Sequence, residues 1–146
     1  MELKKEKLAL QMADISGSTF DKVNAQALIF DNVNLAGSKV NNANMSGVSF
    51  SDVNLSELKM SDANLSGARI EHANMSHLVV DHVHLFGTEF TNVVLPQEGD
   101  GNYLPDGQYK PIVFRNCNLS NMEIIDCDIT GLKINGILIE ELLKGK

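Results

Sequence analysis

Apolar side chains recur at every fifth residue along most of the chain, and the residues between them are mostly polar. A period of five fits neither the 3.6-residue turn of an α-helix nor the two-residue alternation of a flat strand. Only a chain that turns a corner every few residues and coils around its own axis can bury them all. The centres of this first block are Leu10, Ile15, Phe20, Ala25, Phe30, Leu35, Val40, Met45, Phe50, Leu55, Met60, Leu65, Ile70, Met75, Val80, Leu85, Phe90 and Leu95.

A second inward position lies two residues before each centre and holds a small or apolar side chain, such as Ala43, Val48 or Leu58. Large and small side chains therefore alternate along the coil, as a narrow core requires. Glycine stands two residues after several centres, where its freedom suits a tight corner. These corner glycines are Gly17, Gly37, Gly47, Gly67 and Gly87.

Several units share one short motif, most clearly Ala43-Asn44-Met45-Ser46-Gly47 and Ala63-Asn64-Leu65-Ser66-Gly67. These units resemble the A-(D/N)-L-x-x unit of pentapeptide-repeat proteins. The resemblance implies an all-β fold, a right-handed quadrilateral parallel β-helix with four five-residue faces in each coil. In such a solenoid, residues twenty apart stack in columns. Asn34, Asn54 and Asn74 would then form one column, whose stacked amides we expect to hydrogen-bond from coil to coil.

The repeat stops over residues 96–111, which are rich in Pro, Gly and Asp, and it resumes over residues 112–136. Pro105-Asp106-Gly107 predicts a turn in this inserted loop. We expect the second block to continue the coil stack of residues 8–95, so that residues 1–146 form a single domain of about six coils. The centres of the second block are Phe114, Leu119, Ile124, Ile129 and Ile134.

Three outward positions before the loop are unexpectedly apolar, namely Val79, Phe86 and Val94. The loop folding back over them is one interpretation, and an exposed patch for a partner is the other.

The two ends of a coil stack need to be covered, because each exposes unpaired backbone. Residues 2–9 predict a short helical or irregular cap. Residues 137–144 predict an amphipathic helix after Gly136, within a C-terminal segment at 137–146 that caps the last coil. The resemblance also implies a homodimer through this helix, and the predicted dimer contacts are Ile137, Ile139, Leu142 and Leu143.

The bulk composition narrows the classes of function. The net charge is −7, which argues against a nucleic-acid or anionic-membrane binder, because both need a basic surface. No apolar run is long enough to span a bilayer, and the N-terminus is charged, so we expect a cytoplasmic protein. Cys117 and Cys127 lie ten residues apart and are predicted to fill the core from opposite walls, without a disulfide.

No arrangement of residues predicts catalysis, a cofactor or a metal site. His72, His77, His82 and His84 invite a metal hypothesis, but residues five apart point about a right angle apart in such a coil, and zinc needs convergent ligands. The cysteines have no histidine placed near them as a base. A packed core leaves no room for a substrate, so we predict that the protein is not an enzyme.

The outward positions around Phe30 are acidic. We name Asp31, Asp52, Glu71 and Glu89 the acidic face, which also carries Arg69 and His72. The face around Phe20, which we expect to be its neighbour, mixes lysines with carboxylates. Ordinary solvated charge would explain both faces.

We hypothesise a non-enzymatic protein that recognises a protein partner through its surface. The predicted contacts are the acidic face and, in the loop, Tyr103, Asp106 and Tyr109. An alternative rests on the weaker resemblance to quinolone-resistance and gyrase-inhibiting pentapeptide-repeat proteins, which implies a DNA-mimicking modulator of DNA gyrase or topoisomerase IV. A structural element joined through the C-terminal helix is a third interpretation.

Overall fold

The computed structural model describes residues 2–93, 95–99 and 103–145. The chain divides into two compact units, Met1–Gln108 and Tyr109–Lys146.

The first unit contains eight three-residue strands, arranged in two parallel sheets of four. One sheet has the order β1-β3-β5-β7 and the other has the order β2-β4-β6-β8. The strands are β1 (Thr19–Asp21), β2 (Ile29–Asp31), β3 (Lys39–Asn41), β4 (Ser49–Ser51), β5 (Lys59–Ser61), β6 (Arg69–Glu71), β7 (Val79–Asp81) and β8 (Glu89–Thr91).

The register confirms a parallel solenoid with twenty residues in each coil. Phe20 pairs with Val40, and Phe30 pairs with Phe50. Each sheet has four strands, so the first unit contains four stacked coils, fewer than the six predicted for the whole chain. Consecutive strands lie ten residues apart and belong to different sheets, so the Phe20 and Phe30 faces are half a coil apart. The prediction that these two faces are neighbours is therefore wrong.

The corners of the coils are left-handed residues that recur with the same period of five. Positive φ angles occur at the predicted glycines, such as Gly37 at 66°, and also at Ala27, Glu57 and His77, at 54°, 58° and 59°. A left-handed conformation is strained for any residue with a Cβ atom. The stacked neighbours on both sides hold these residues in place, because a different conformation would break the register.

The core of the first unit follows the predicted pattern. All the centres from Ala25 to Ile70 are buried, and so are second inward positions such as Val48 and Leu58. The rings of Phe30 and Phe50 stack with their centroids 5.1 Å apart. Towards the last coil the core opens, since Val80 and Phe90 are exposed.

The asparagine columns form, but their amides do not bond as predicted. Asn34 bridges to Asn54 and Asn54 to Asn74 through the backbone. The Oδ1 atom of Asn54 accepts the backbone N–H of Ser56 at 3.0 Å, within the same coil. Asn34 and Asn74 make the same bond to the residues two places on. The amide therefore closes a local turn, which competes with a ladder of stacked amides.

The segments beside the coils differ from prediction in part. Residues 2–10 are irregular and largely exposed, which agrees with the irregular alternative for this end.

The predicted turn at residues 105–107 is confirmed, because the N–H of Gly107 donates to the carbonyl of Leu104 at 3.0 Å. The interpretation that the loop covers the apolar positions is wrong for Phe86, which is 88% exposed, and for Val79, which is 51% exposed. Val94 lies outside the described residues.

The second unit keeps the five-residue geometry of a repeat. Asn116, Asn121 and Asp126 have positive φ angles, and Gly131 continues the series. No parallel strand pairing occurs among the described residues 109–145. A single coil has no second coil of its own unit to pack against, and its predicted inward side chains are about half exposed. The cysteines predicted to fill the core are exposed free thiols in this structure.

The C-terminus forms a hairpin before it forms a helix. Strands β9 (Lys133–Ile134) and β10 (Ile137–Leu138) pair antiparallel, and helix α1 (Ile139–Leu143) follows. The helix predicted over residues 137–144 is therefore wrong at its start, because Ile137 lies in a strand. The cause is Asn135-Gly136, whose φ angles of 49° and 81° suit a two-residue hairpin turn.

Candidate functional site

The sheet β2-β4-β6-β8 positions the acidic face. Asp31 ends β2 and Glu71 ends β6, and both pair in register with Ser51, so the three side chains form one outward column. Asp52 occupies the corner just after β4, with a φ angle of 51°. Because side chains alternate across a strand, the inward neighbours Phe30 and Ile70 keep these carboxylates on the outside. The structure therefore brings Asp31, Asp52 and Glu71 to one surface.

Glu89 begins β8 on the same sheet, but it is paired. Its Oε2 atom lies 3.4 Å from Nη2 of Arg69, and both side chains are more than half exposed. Such an exposed ion pair contributes little to stability. It does neutralise the cation on this face, which leaves Asp31, Asp52 and Glu71 as its uncompensated carboxylates.

The other sheet, β1-β3-β5-β7, has a different outer surface. Asp21, Asn41 and Ser61 form a hydrogen-bonded column in which Nδ2 of Asn41 donates to Asp21 and Oγ of Ser61 donates to Asn41, each at 3.0 Å. Lys39 and Lys59 pair in register beside this column. This sheet therefore carries a polar ladder and stacked cations, and its carboxylates Asp21 and Asp81 lie on the same sheet as these lysines.

The loop residues predicted to contact a partner lie in both units. Tyr103 and Asp106 belong to the first unit and are exposed, and the Oδ1 atom of Asp106 accepts the N–H of Gln108 at 3.1 Å. Tyr109 begins the second unit and is half-buried. Asp106 thus helps to shape its own turn.

Two shallow surface grooves were missed by the sequence reasoning. Each runs along the stack between a corner column and the neighbouring asparagine column. One is lined by Met12, Ala13, Asp14, Asn32, Val33, Asn34, Asp52 and Asn54, and the other by Asn42, Ala43, Asn44, Asp62, Ala63, Asn64, His82 and His84. The twenty-residue column rule could have placed these residues together, because each groove uses two columns two positions apart.

A histidine and a carboxylate pair beside the second groove. The Nδ1 atom of His82 lies 3.0 Å from Oδ1 of Asp81. The hydrogen bond that His82 donates to Asp81 raises the pKa of His82, and the charges of Asp81 and Asp62 add to this effect. Within residues 2–93, 95–99 and 103–145, no three His, Cys, Asp or Glu side chains converge to hold a metal ion.

The predicted dimer contacts are near the C-terminus. Ile137 lies in β10, and Ile139, Leu142 and Leu143 lie in α1. Ile137, Leu142 and Leu143 are each more than half exposed. In the part of the chain that the structure describes, no helix is both long enough and apolar enough to cross a membrane.

The sequence and the coil geometry identify the kind of repeat that builds the first unit. The family described as Pentapeptide repeats matches residues 29–67 with eight copies of its unit. Residues 29–67 are therefore pentapeptide repeats, and they form the middle coils of the first unit. No curated protein matches the chain.

Solved structures of pentapeptide-repeat proteins are similar to parts of this chain. One, from the thylakoid lumen of Arabidopsis thaliana, is 22% identical with a TM-score of 0.23, and the match covers 57% of this chain and 68% of that one. HetL from the cyanobacterium Nostoc sp. strain PCC 7120, described as involved in regulation of heterocyst differentiation, is 15% identical with a TM-score of 0.26 over 53% and 46%. A third, from the cyanobacterium Cyanothece 51142, is 17% identical with a TM-score of 0.21 over 57% and 88%.

Proposed function

We propose that this chain is a non-enzymatic binding protein that recognises a protein partner through the acidic face. The observation that carries the proposal is the column formed by Asp31 and Glu71 with Asp52 beside it, on a sheet whose one arginine is already paired with Glu89. A partner with a basic surface would meet uncompensated carboxylates there. Complementary charge of this kind favours encounter and selects against other partners.

The packing of the coils supports recognition by the outer surface. The middle of the first unit is filled by repeat side chains such as Phe50, Leu55 and Leu65, which are almost fully buried. The two grooves are shallow and open. Small-molecule sites are usually enclosed, whereas these grooves are open to solvent.

A matched pair of triple variants tests the acidic face. Asp31→Asn, Asp52→Asn and Glu71→Gln remove three negative charges from the acidic face. Asp21→Asn, Asp62→Asn and Asp81→Asn remove the same number from the Phe20 side. We expect quantitative pull-down from native cytoplasm, read by mass spectrometry, to lose a specific partner with the first variant and to keep it with the second.

Equal loss of that partner with both variants would mean that net charge alone matters, and this would contradict the acidic face as the contact. Retention of the partner by both variants would contradict it as well. Both variants change only exposed or half-exposed positions, so thermal unfolding should show that each remains folded.

The second candidate is a DNA-mimicking modulator of DNA gyrase or topoisomerase IV. It is favoured by one observation, the two carboxylates Asp31 and Glu71 in one outward column. They lie two coils apart, which is about 9.6 Å at the usual strand spacing of about 4.8 Å. The test adds purified protein to a gyrase supercoiling assay with and without a quinolone. We expect protection or inhibition at micromolar protein, and no effect would contradict this candidate. Deletion of residues 98–109 should then remove any protection and leave the coils folded.

We also propose that the chain forms a homodimer through its C-terminal segment. The exposed apolar side chains of Leu142 and Leu143 support this proposal. Light scattering should show half the mass when both residues are replaced by Asp. An unchanged mass for the double variant would contradict pairing through α1.

A further inference from the structure

All four histidines of the chain lie between β6 and β8 of the first unit, over residues 72–84. His72, His77 and His82 occupy successive left-handed corners, with φ angles of 51°, 59° and 49°. Successive corners of a four-sided coil point in different directions, so one ion cannot contact all three side chains. His84 lies two residues after His82, and both line the second groove. The coil therefore brings two imidazoles, those of His82 and His84, to one surface.

The backbone at this histidine pair is held by the preceding coil. His84 bridges in register to Asn64. Its N–H donates to the carbonyl of Ala63 at 3.1 Å, and its carbonyl accepts the N–H of Leu65 at 2.8 Å. Two consecutive residues span at most about 7 Å, so the Cα atoms of His82 and His84 lie within that distance. Imidazole nitrogens bind a transition metal at roughly 2.0–2.1 Å, and two histidine side chains at this separation can reach one ion.

A carboxylate orients the ring of His82 in a way that suits a metal ligand. The Nδ1 atom of His82 lies 3.0 Å from Oδ1 of Asp81, so Nδ1 carries the proton and Nε2 of the neutral ring keeps its lone pair. Metal-bound histidines typically have such a carboxylate on the other ring nitrogen. Asp62 lines the same groove and adds a negative charge that favours a cation. Both imidazoles are exposed and accessible to an ion from solvent.

We propose that His82 and His84 bind a divalent transition-metal ion through their imidazole nitrogens, with water in the remaining coordination positions. Imidazole suits Zn²⁺, Cu²⁺ and Ni²⁺, and affinity is highest for Cu²⁺. Ca²⁺ and Mg²⁺ prefer oxygen ligands. Among the residues that the structure describes, three His, Cys, Asp or Glu side chains do not converge on one point, so the ion has two protein ligands and exchanges with solvent.

A copper titration compares the histidine pair with a histidine on another corner. Isothermal titration of the full chain with Cu²⁺ at about pH 8, where free imidazoles are neutral, should show a tightest site that holds one ion for each chain. Loss of a group that only orients a ligand typically costs about 10–100-fold in metal affinity, so we expect His82→Gln and His84→Gln each to weaken binding at least about tenfold. The matched control His77→Gln should leave the affinity unchanged. Equal affinities in the three variants, or the lack of saturable binding, would overturn the proposal.

Nuclear magnetic resonance of the unsubstituted chain gives a second test that does not depend on a variant. Cu²⁺ is paramagnetic and broadens the signals of nearby nuclei. Less than one equivalent of Cu²⁺ should broaden the imidazole signals of His82 and His84 before those of His72 and His77. Equal broadening of all four histidines would overturn the proposal, because the ion would then bind any exposed imidazole.

Discussion

The first and second repeat blocks share a five-residue geometry but differ in what that geometry achieves. Both have left-handed corners, and both close a turn with an Asn or Asp side chain, as Asn54 and Asn118 do. The middle coils of the first block have coils on both sides, and centres there such as Leu55 and Leu65 are almost fully buried, whereas the described residues 109–145 form no parallel strand pairing among themselves. The comparison teaches that the repeat encodes the bends locally, whereas the core is produced by stacking.

The largest expected loss of stability comes from a substitution in the stacked core. Phe50 is 1% exposed and its ring stacks on Phe30, so Phe50→Ala leaves a cavity that neighbouring coils cannot fill. We expect a loss of about 3–5 kcal/mol in the free energy of unfolding. Phe86→Ala is the matched control, since its ring points outward, and its effect should stay within about 0.5 kcal/mol. Urea unfolding measures both, and similar losses would contradict the assignment of inward and outward positions.

The next prediction compares substitutions at the same turn position in the two blocks. Asn54→Ala removes the acceptor for the N–H of Ser56, a residue that is buried. We expect a loss of about 1–2 kcal/mol, because the amide would be left without its partner. Asn118→Ala removes the equivalent acceptor from Ser120, which is exposed, and water can replace it. If the loss for Asn118→Ala in urea unfolding equals that for Asn54→Ala, burial is not what distinguishes the blocks.

A smaller effect, of opposite sign, concerns the corners. Glu57 has a φ angle of 58° in the column where Gly37 has 66°. We expect Glu57→Gly to raise the free energy of unfolding by roughly 1 kcal/mol, because glycine is not strained there. Gly37→Ala should lower it by a similar amount, although an added Cβ atom would meet nothing within 4 Å. Thermal unfolding of the two variants should therefore shift in opposite directions.

The smallest effect is the pH dependence at the last coil. Asp81 raises the pKa of His82 in the folded chain, so the pair stabilises the fold below the unfolded pKa of the histidine. This contribution is lost as the pH rises through the folded pKa. We expect Asp81→Asn to lower the pKa of His82, as measured by NMR titration, with His77 as the control on another corner. An unchanged pKa of His82 would show that the pair does not form in solution.

The inward positions of the first unit could be predicted from sequence because five-residue periodicity is a strong and local signal. Every centre from Ala25 to Ile70 was predicted to be inward and is buried. The hairpin at Asn135-Gly136 also has a local signal, a dipeptide typical of tight hairpins. The continuing apolar period masked this signal, so Ile134 was assigned to a coil and Ile137 to a helix.

The candidate site was only partly predictable. The column rule placed Asp31 and Glu71 on one face, but it could not show that Glu89 is paired with Arg69, because that depends on how two long side chains turn. The column rule also could not show which hydrogen bond the asparagine side chains form, because Asn54 could bond either within its own turn or to the next coil. The ladder of Asp21, Asn41 and Ser61 was missed for the same reason.

The register of twenty residues makes the coil a unit of length that the chain can gain or lose whole. Excising residues 40–59 would join Lys39 to Met60 and leave every surviving side chain above its former kind of neighbour. Excising one residue fewer would turn the core outwards from that point on. Insertion or deletion of a whole twenty-residue coil should therefore preserve the core, whereas a change in length that breaks this register should disrupt it.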